Sequence, residues 1–222
     1  MPRTIAAVAL TIAALLPAAA SAQVTAPGPY VIDLRGAMSG APGDVPFYPP
    51  VPATMRVPQR AFGFGGGAHV YAFRIGVARL GFGVDMMRAR GAADTNASAI
   101  AGQSTTTSAA AVTGTLNAAM TITTIAPQVS FNFGTRDGWS YLSGGYGTSA
   151  TRAEVNIPTS IANGGKGSRE RRTSTLNFGG GARWFLREHL AVGFDVRFHR
   201  LRATDELPSK QIFGFSVGIS VR

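Results

Sequence analysis

The sequence predicts an all-β chain, an eight-stranded antiparallel up-and-down transmembrane β-barrel. Three observations carry that expectation. Eight segments alternate apolar and polar residues with a period of two, which places successive side chains on opposite faces of an extended strand. The connections between the segments alternate long and short, as in barrels with tight turns at one end and long loops at the other. The charges on the less oily face are accompanied by glycines such as Gly81, Gly83, Gly179, Gly181 and Gly193. A solvated sheet face seldom uses glycine, which weakens strands and packs nothing, whereas the crowded, curved inside of a small barrel accommodates it.

The chain opens MPRTIAAVALTIAALLPAAASAQ, with Arg3, an apolar run from Ile5 to Leu16, and small residues at Ala20-Ser21-Ala22. That order is a secretory signal cleaved before Gln23, so residues 1–22 are expected to leave and residues 23–222 to form one barrel domain. The apolar run is shorter than the roughly 20 residues of a membrane-spanning helix. Cysteine is absent, so no disulfide staples the fold.

The first strand is YVIDLRGA, Tyr30 to Ala37, with Ile32 and Leu34 set against Asp33 and Arg35. A proline-rich stretch follows, which regular ladder pairing excludes because proline lacks the donor. The second strand, Ala61 to Arg74, is expected to turn Phe62, Phe64, Ala68 and Val70 outward and His69, Tyr71 and Phe73 inward. The third, Ala78 to Arg90, sets Leu80, Phe82, Val84 and Met86 against Arg79 and Asp85. An alanine, serine and threonine tract from Gly91 to about Asn117 reads as a loop, into which the flanking strands can continue beyond the bilayer. Met120 to Gly134 and Trp139 to Arg152 are strands four and five. A polar connection containing GGKGSRERR then leads to Thr175–Leu186, and His189–Leu201 and Gln211–Arg222 complete the set.

The oily flank includes Leu80, Phe82, Phe178, Val192, Phe194, Val196, Phe215 and Val217. As a soluble core it would need a partner face of equal size, and the chain offers only glycine and charge; lipid supplies that partner. Turning Arg197 into lipid instead would cost roughly 2–4 kcal/mol near the bilayer midplane. The lumen is therefore expected to hold an ionic network of Asp33, Arg35, Arg79, Asp85, Arg183, Asp195, Arg197 and His199. Expected pairings are Asp33 with Arg35, Arg79 with Asp85, and Arg183 diagonally with Asp195 across a turn centred on Glu188. Such a network fills a barrel of this size, leaving little room for a conducting path. Tyr30, Trp139, Trp184 and Phe185 near strand ends suit an interfacial aromatic girdle.

The formal charge of +10 is almost wholly arginine, since Lys166 and Lys210 are the only lysines. An exported chain rarely meets nucleic acid, and in a Gram-negative envelope the natural anion is lipopolysaccharide phosphate, which arginine pairs with bidentately. Lys166, Arg169, Arg171 and Arg172 in the outward connection are the candidate contacts to anionic glycolipid.

The plan of eight strands, GGGARWFLREHLAVGFDVRFH as a glycine-rich strand, tight turn and alternating strand, and the closing FGFSVGISVR resemble small outer-membrane β-barrel proteins of the OmpA and OmpX type. The resemblance implies residence in the outer membrane of a Gram-negative cell, contact with its lipid and lipopolysaccharide, and insertion by barrel-assembly machinery. It also implies a structural, adhesive or defensive role. The machinery commonly reads an aromatic last residue, whereas Val221 and Arg222 finish this chain. A monomer is expected. Some similar barrels modify lipid A with a serine and a histidine; His199, Asp195 and Ser216 are the nearest equivalents, but FHRL lacks the deacylase pattern, so no enzyme is expected. His69, His189 and His199 are scattered and make no metal cluster, and no cofactor is expected. The alternative to a plugged barrel is a narrow pore.

Overall fold

A computed structural model describes residues 29–52, 55–96, 114–134, 137–158 and 165–222; the expected signal, residues 1–22, lies outside them. The strands are β1 (Tyr30–Gly40), β2 (Arg60–Ile75), β3 (Ala78–Asn96), β4 (Thr115–Gly134), β5 (Gly138–Ile157), β6 (Gly165–Phe185), β7 (Leu190–Leu201) and β8 (Lys210–Val221). Each pairs antiparallel with its neighbours in sequence, and β8 pairs with β1 to close the barrel. No helix among the described residues is long and apolar enough to cross a membrane, and the crossing is made by strands.

The ends of β2 and β3, of β4 and β5, and of β6 and β7 that short connections join lie on one side of the barrel, and the strand ends that the long connections join lie on the other. The register between β6 and β7 sets Arg183 opposite Gly193, as a turn centred on Glu188 requires. Gly76, with φ of 58°, occupies the left-handed region that the tight β2–β3 turn needs.

The strands run on into two of the expected connections, as was open for the tract after Arg90 and was not expected for the one before Thr175. β6 begins at Gly165, ten residues before Thr175, and β3 and β4 run on together from Arg90–Thr121 to Asn96–Thr115. Along β4 the extension reverses the polarity of the two faces without changing their phase. Along β4, the lower half exposes Ile125, Val129 and Phe131 and buries Gln128, Ser130 and Asn132. The upper half turns Thr121 and Thr123 outward and buries Leu116, Ala118, Met120 and Ile122. Even positions point inward throughout, so only the chemistry of the two faces is exchanged. An apolar exterior suits lipid and a polar exterior suits water, so the exchange marks where the wall leaves the bilayer.

The proline-rich connection closes the upper mouth. Its short 3₁₀ helix, Val45–Phe47, brings Phe47 and Tyr48 onto a core with Met55, Leu116, Met120, Val155, Leu201 and Ile212. Phe47 and Tyr48 are each 1% exposed. Three strands hold the segment: Arg169 on β6 donates to the Pro46 carbonyl at 2.9 Å, Thr95 on β3 accepts from the Arg56 amide at 2.8 Å, and Lys210 on β8 pairs with Asp44 at 2.9 Å. Proline suits this role because it stiffens the chain and brings fewer donors that burial must satisfy.

In β2 a register shift between Val70 and Phe73 inserts one extra residue against β3. A bulge of this kind flips the side chains beyond it. His69 and Tyr71 point inward, but Phe73 is turned outward, where it meets Phe82 edge to face at 6.3 Å, contrary to the expectation from strict alternation.

Candidate functional site: the closed lumen and the arginine-rich end

The lumen is stacked in layers. At the short-turn end Val31, Tyr71 and Trp139 form a buried cluster with Phe185 packed on it, and the Trp139 and Phe185 rings meet at 4.8 Å. The expected girdle is corrected here. Tyr30 and Trp184 face outward, but Trp139 is buried because it sits on the inward parity of β5 with Tyr141 and Ser143, and Phe185 packs against it. Arg222 lies over the Phe185 ring at 4.0 Å and caps the layer.

Above it Arg183 on β6 holds Asp33 on β1 through two hydrogen bonds of 2.8 and 2.7 Å, and Ser220 donates to the same carboxylate at 2.5 Å. The Arg183 guanidinium also lies over the Tyr141 ring at 4.0 Å. The next layer joins four charges. Arg35 bonds Asp85 and approaches Asp195 at 3.4 Å, while Arg197 bonds Asp195 at 2.9 and 2.8 Å. Tyr141 donates to Asp195 at 2.6 Å, and Arg197 donates to the side-chain oxygens of Gln128 and Asn177 at 3.0 and 3.1 Å. Three arginines and three aspartates are thus buried together with no net charge.

Six of the eight residues expected in the lumen are joined in this network, with partners different from those expected. Arg79 faces inward on β3 but makes no ion pair among the described residues; six residues of strand, about 20 Å, separate it from Asp85. Asp85 therefore pairs with Arg35. Asp33 pairs with Arg183 in place of Arg35, and Asp195 with Arg197 in place of Arg183. Arg35 and Arg183 bridge strands that are not neighbours, and Arg197 reaches along its own strand, neither of which pairing rules between adjacent strands cover. His199 is buried beside the network with its Nδ1 unpartnered. It lines a cavity of about 20 Å³ with Arg35, Asp195, Arg197 and Ser216. That space holds about one water molecule. No hydrogen bond joins His199 and Ser216 among the described residues, and no group of three metal-ligating side chains is disposed to hold an ion there.

The expected cluster of Lys166, Arg169, Arg171 and Arg172 is divided. These residues lie on β6, where alternation sends Lys166 and Arg172 to the outer face and Arg169 and Arg171 to the inner one. Arg169 is engaged with Pro46, and Arg171 pairs with Glu206 at 2.5 Å. A strand cannot present four neighbours of this kind on one surface. What the sequence reading missed is an outer collar. Arg60, Arg88 and Arg200 are exposed and each stands two positions beyond the last outward apolar residue of its strand, namely Phe62, Met86 and Phe198. Arg90 and Arg152 stand just above, each with Glu154, at 3.3 and 3.0 Å. The signal was present in the outward parity of β3, which reads Phe82, Val84, Met86, Arg88, Arg90.

An apolar exterior closed around an ionic interior, with loops sorted by end, defines a membrane-spanning β-barrel. The sequence matches the family model for the outer membrane protein beta-barrel domain over residues 6–220, and the chain belongs to that family. It is an outer-membrane protein. In fold it is similar to Ail, the attachment invasion locus protein of Yersinia pestis, whose structure in complex with the heparin analogue sucrose octasulfate gives a TM-score of 0.51. The identity is 11%, with 86% of this chain and 96% of that one covered. Neisserial surface protein A aligns at a TM-score of 0.48 and 15% identity, covering 87% and 97% of the two chains. The outer membrane protease OmpT of Escherichia coli aligns at 0.44 and 9%, covering 90% and 98%. No curated protein sequence matches the chain.

Proposed function

We propose that this protein is a closed outer-membrane barrel with a structural or surface-interaction role exercised at its long-loop end. The observation that carries the proposal is the threefold obstruction of the lumen: an aromatic layer at Trp139, an ionic layer at Arg35, Arg183 and Arg197, and an apolar layer at Phe47 and Tyr48. Two cavities beside the ionic layer, of about 20 and 10 Å³, are too small for a hydrated ion to pass or a lipid chain to enter. This favours a closed barrel over the pore reading, and the small space around His199 and Ser216 favours a non-enzymatic role.

We propose four further properties of the chain. Residues 1–22 act as an export signal, the barrel-assembly machinery inserts the chain, the barrel works as a monomer, and its anionic partner is the glycolipid of the outer leaflet. Short turns of such barrels face the periplasm and long loops the exterior. The proline-rich segment 41–59 and the extensions of β3 to β6 then form the surface that other molecules meet.

Planar-bilayer recording of the purified barrel tests closure. The expected result is no unitary current across the physiological voltage range. A reproducible open-channel current of fixed size contradicts it.

A further inference from the structure

The outer face of β3, β4 and β5 carries a group of arginines that the ion pairs of the fold do not use up. Arg90, Thr121 and Arg152 lie in one hydrogen-bonded row, and Arg88, Thr123 and Ala150 in the row below. Adjacent strands are about 4.8 Å apart, so Arg90 and Arg152 flank Thr121 with backbones about 10 Å apart, within reach of each other's guanidinium arms. Glu154 touches both, at 3.3 and 3.0 Å, and orders them without neutralising them. Arg88 is exposed and makes no ion pair or hydrogen bond among the described residues.

The height of the group is set by the residues beneath it. In the row just below, the outward positions are Met86, Ile125 and Thr148, and Tyr146 follows one row further down, level with Val84; Met86, Ile125 and Tyr146 top the apolar belt on their strands. Three positive groups against one carboxylate therefore stand where acyl chains end and headgroups begin. The two lysines are elsewhere: Lys210 is paired with Asp44, and Lys166 lies near the upper end of β6. The planar guanidinium suits bidentate contact with phosphate, and flanking hydroxyls add donors.

We infer that Arg88, Arg90 and Arg152, with Thr121 and Thr123, form a binding site for a phosphate of an outer-leaflet glycolipid whose acyl chains lie against Met86 and Ile125. The inference rests on the membrane placement of the barrel and is independent of whether the lumen conducts. It replaces the cluster on β6 as the glycolipid contact, because it sets three exposed arginines and two hydroxyls on neighbouring strands at the edge of the belt.

The test uses the full-length barrel in detergent micelles, with bound glycolipid counted by native mass spectrometry. The probes are bisphosphorylated lipid A, the same lipid stripped of phosphate, and inorganic phosphate as competitor. Wild type is expected to retain bisphosphorylated lipid A in preference to the stripped form. Replacing Arg88, Arg90 and Arg152 with serine should weaken retention by about fivefold per arginine, on the order of a hundredfold for the three. Arg74→Ser with Arg187→Ser, at the short-turn end, should leave it unchanged. Retained heat-dependent gel migration certifies that each variant is folded; should the triple variant fail to fold, Arg88→Ser alone carries the test. Equal retention by the folded serine variant, equal binding of the stripped lipid, or full displacement by millimolar inorganic phosphate overturns the proposal. A current in planar bilayers would overturn the closed-barrel function and leave this site standing.

Discussion

Arg183 on β6 and Asp33 on β1 are joined by a bidentate pair of 2.7 and 2.8 Å across the inside of the barrel, although β7 and β8 stand between their strands. The pair ties opposite walls together at the level where the aromatic layer gives way to charge. Both side chains are almost wholly buried, so each is compensated chiefly by the other.

Breaking the pair from one side leaves a buried charge without its counterpart, which costs about 3–5 kcal/mol. Asp33→Ala and Arg183→Ala should each destabilise the barrel by that order, and the double variant by clearly less than their sum. Urea unfolding in vesicles, followed by the fluorescence of nearby Trp139, reads both. Additive losses would show that the two groups do not depend on one another.

The inward glycines are required by close approach. A Cβ on Gly181 would stand 2.1 Å from the Phe194 carbonyl oxygen and 2.9 Å from the Tyr141 hydroxyl. A Cβ on the outward Gly144 would meet nothing nearer than 3.8 Å. Gly181→Ala should therefore lower stability by about 1–3 kcal/mol, and Gly144→Ala should change it by less than about 0.5 kcal/mol. The yield of heat-modifiable barrel after refolding gives the same ranking.

Tyr48 makes the upper seal sensitive to alkali. Burial, and then the neighbouring Asp44 carboxylate, push its phenol above the ordinary tyrosine range. The neutral form is the one the fold prefers, so its contribution is complete below about pH 10 and is lost as pH rises towards the folded-state value. Segment 41–59 should become susceptible to protease in strong alkali before the strands below it do. Because the Tyr48 hydroxyl is buried without a partner, Tyr48→Phe should leave stability equal or raise it by about 1 kcal/mol, and should delay the alkaline opening.

Removing the Phe47 ring should cost about 3–5 kcal/mol of local packing and release the segment at neutral pH. Limited proteolysis should then cleave Phe47→Ala within residues 41–59, with the strands intact. Bilayer recordings of that variant should still show no current, because the ionic and aromatic layers remain.

The strands, their order and the outward flank were legible because the membrane-spanning halves follow a period of two with one chemistry per face. Arg183 opposite Gly193 followed from the length of a single turn. The partners of Asp33 and Asp85 were not legible, because they come from strands brought near only when the cylinder closes. Phe73 was misplaced because a bulge leaves little trace in a pattern of alternating residues. The burial of Trp139 was a matter of parity, shared with Tyr141, and the interfacial preference of tryptophan concealed it. The upper core was concealed differently. That the flanking strands can continue beyond the bilayer was open from the tract itself, but not that Leu116, Met120 and Ile122 would lie on even positions while Ile125, Val129 and Phe131 lie on odd ones, an exchange of faces that follows where the wall passes from lipid to water.

That exchange is open to direct measurement, since the chain contains no cysteine and any introduced thiol is unique. Nitroxide labels at Thr121, Thr123, Ile125, Val129, Phe131 and the inward Gln128, in lipid vesicles, would be compared for collision with oxygen and with a water-soluble nickel chelate. Ile125, Val129 and Phe131 should meet oxygen and exclude nickel, Thr121 and Thr123 should meet nickel, and Gln128 should be shielded from both. Nickel access at Val129 or Phe131 would place the apolar flank in water, and nickel access at Gln128 would open the lumen; either result contradicts a sealed barrel with lipid around its lower half and water around its upper half.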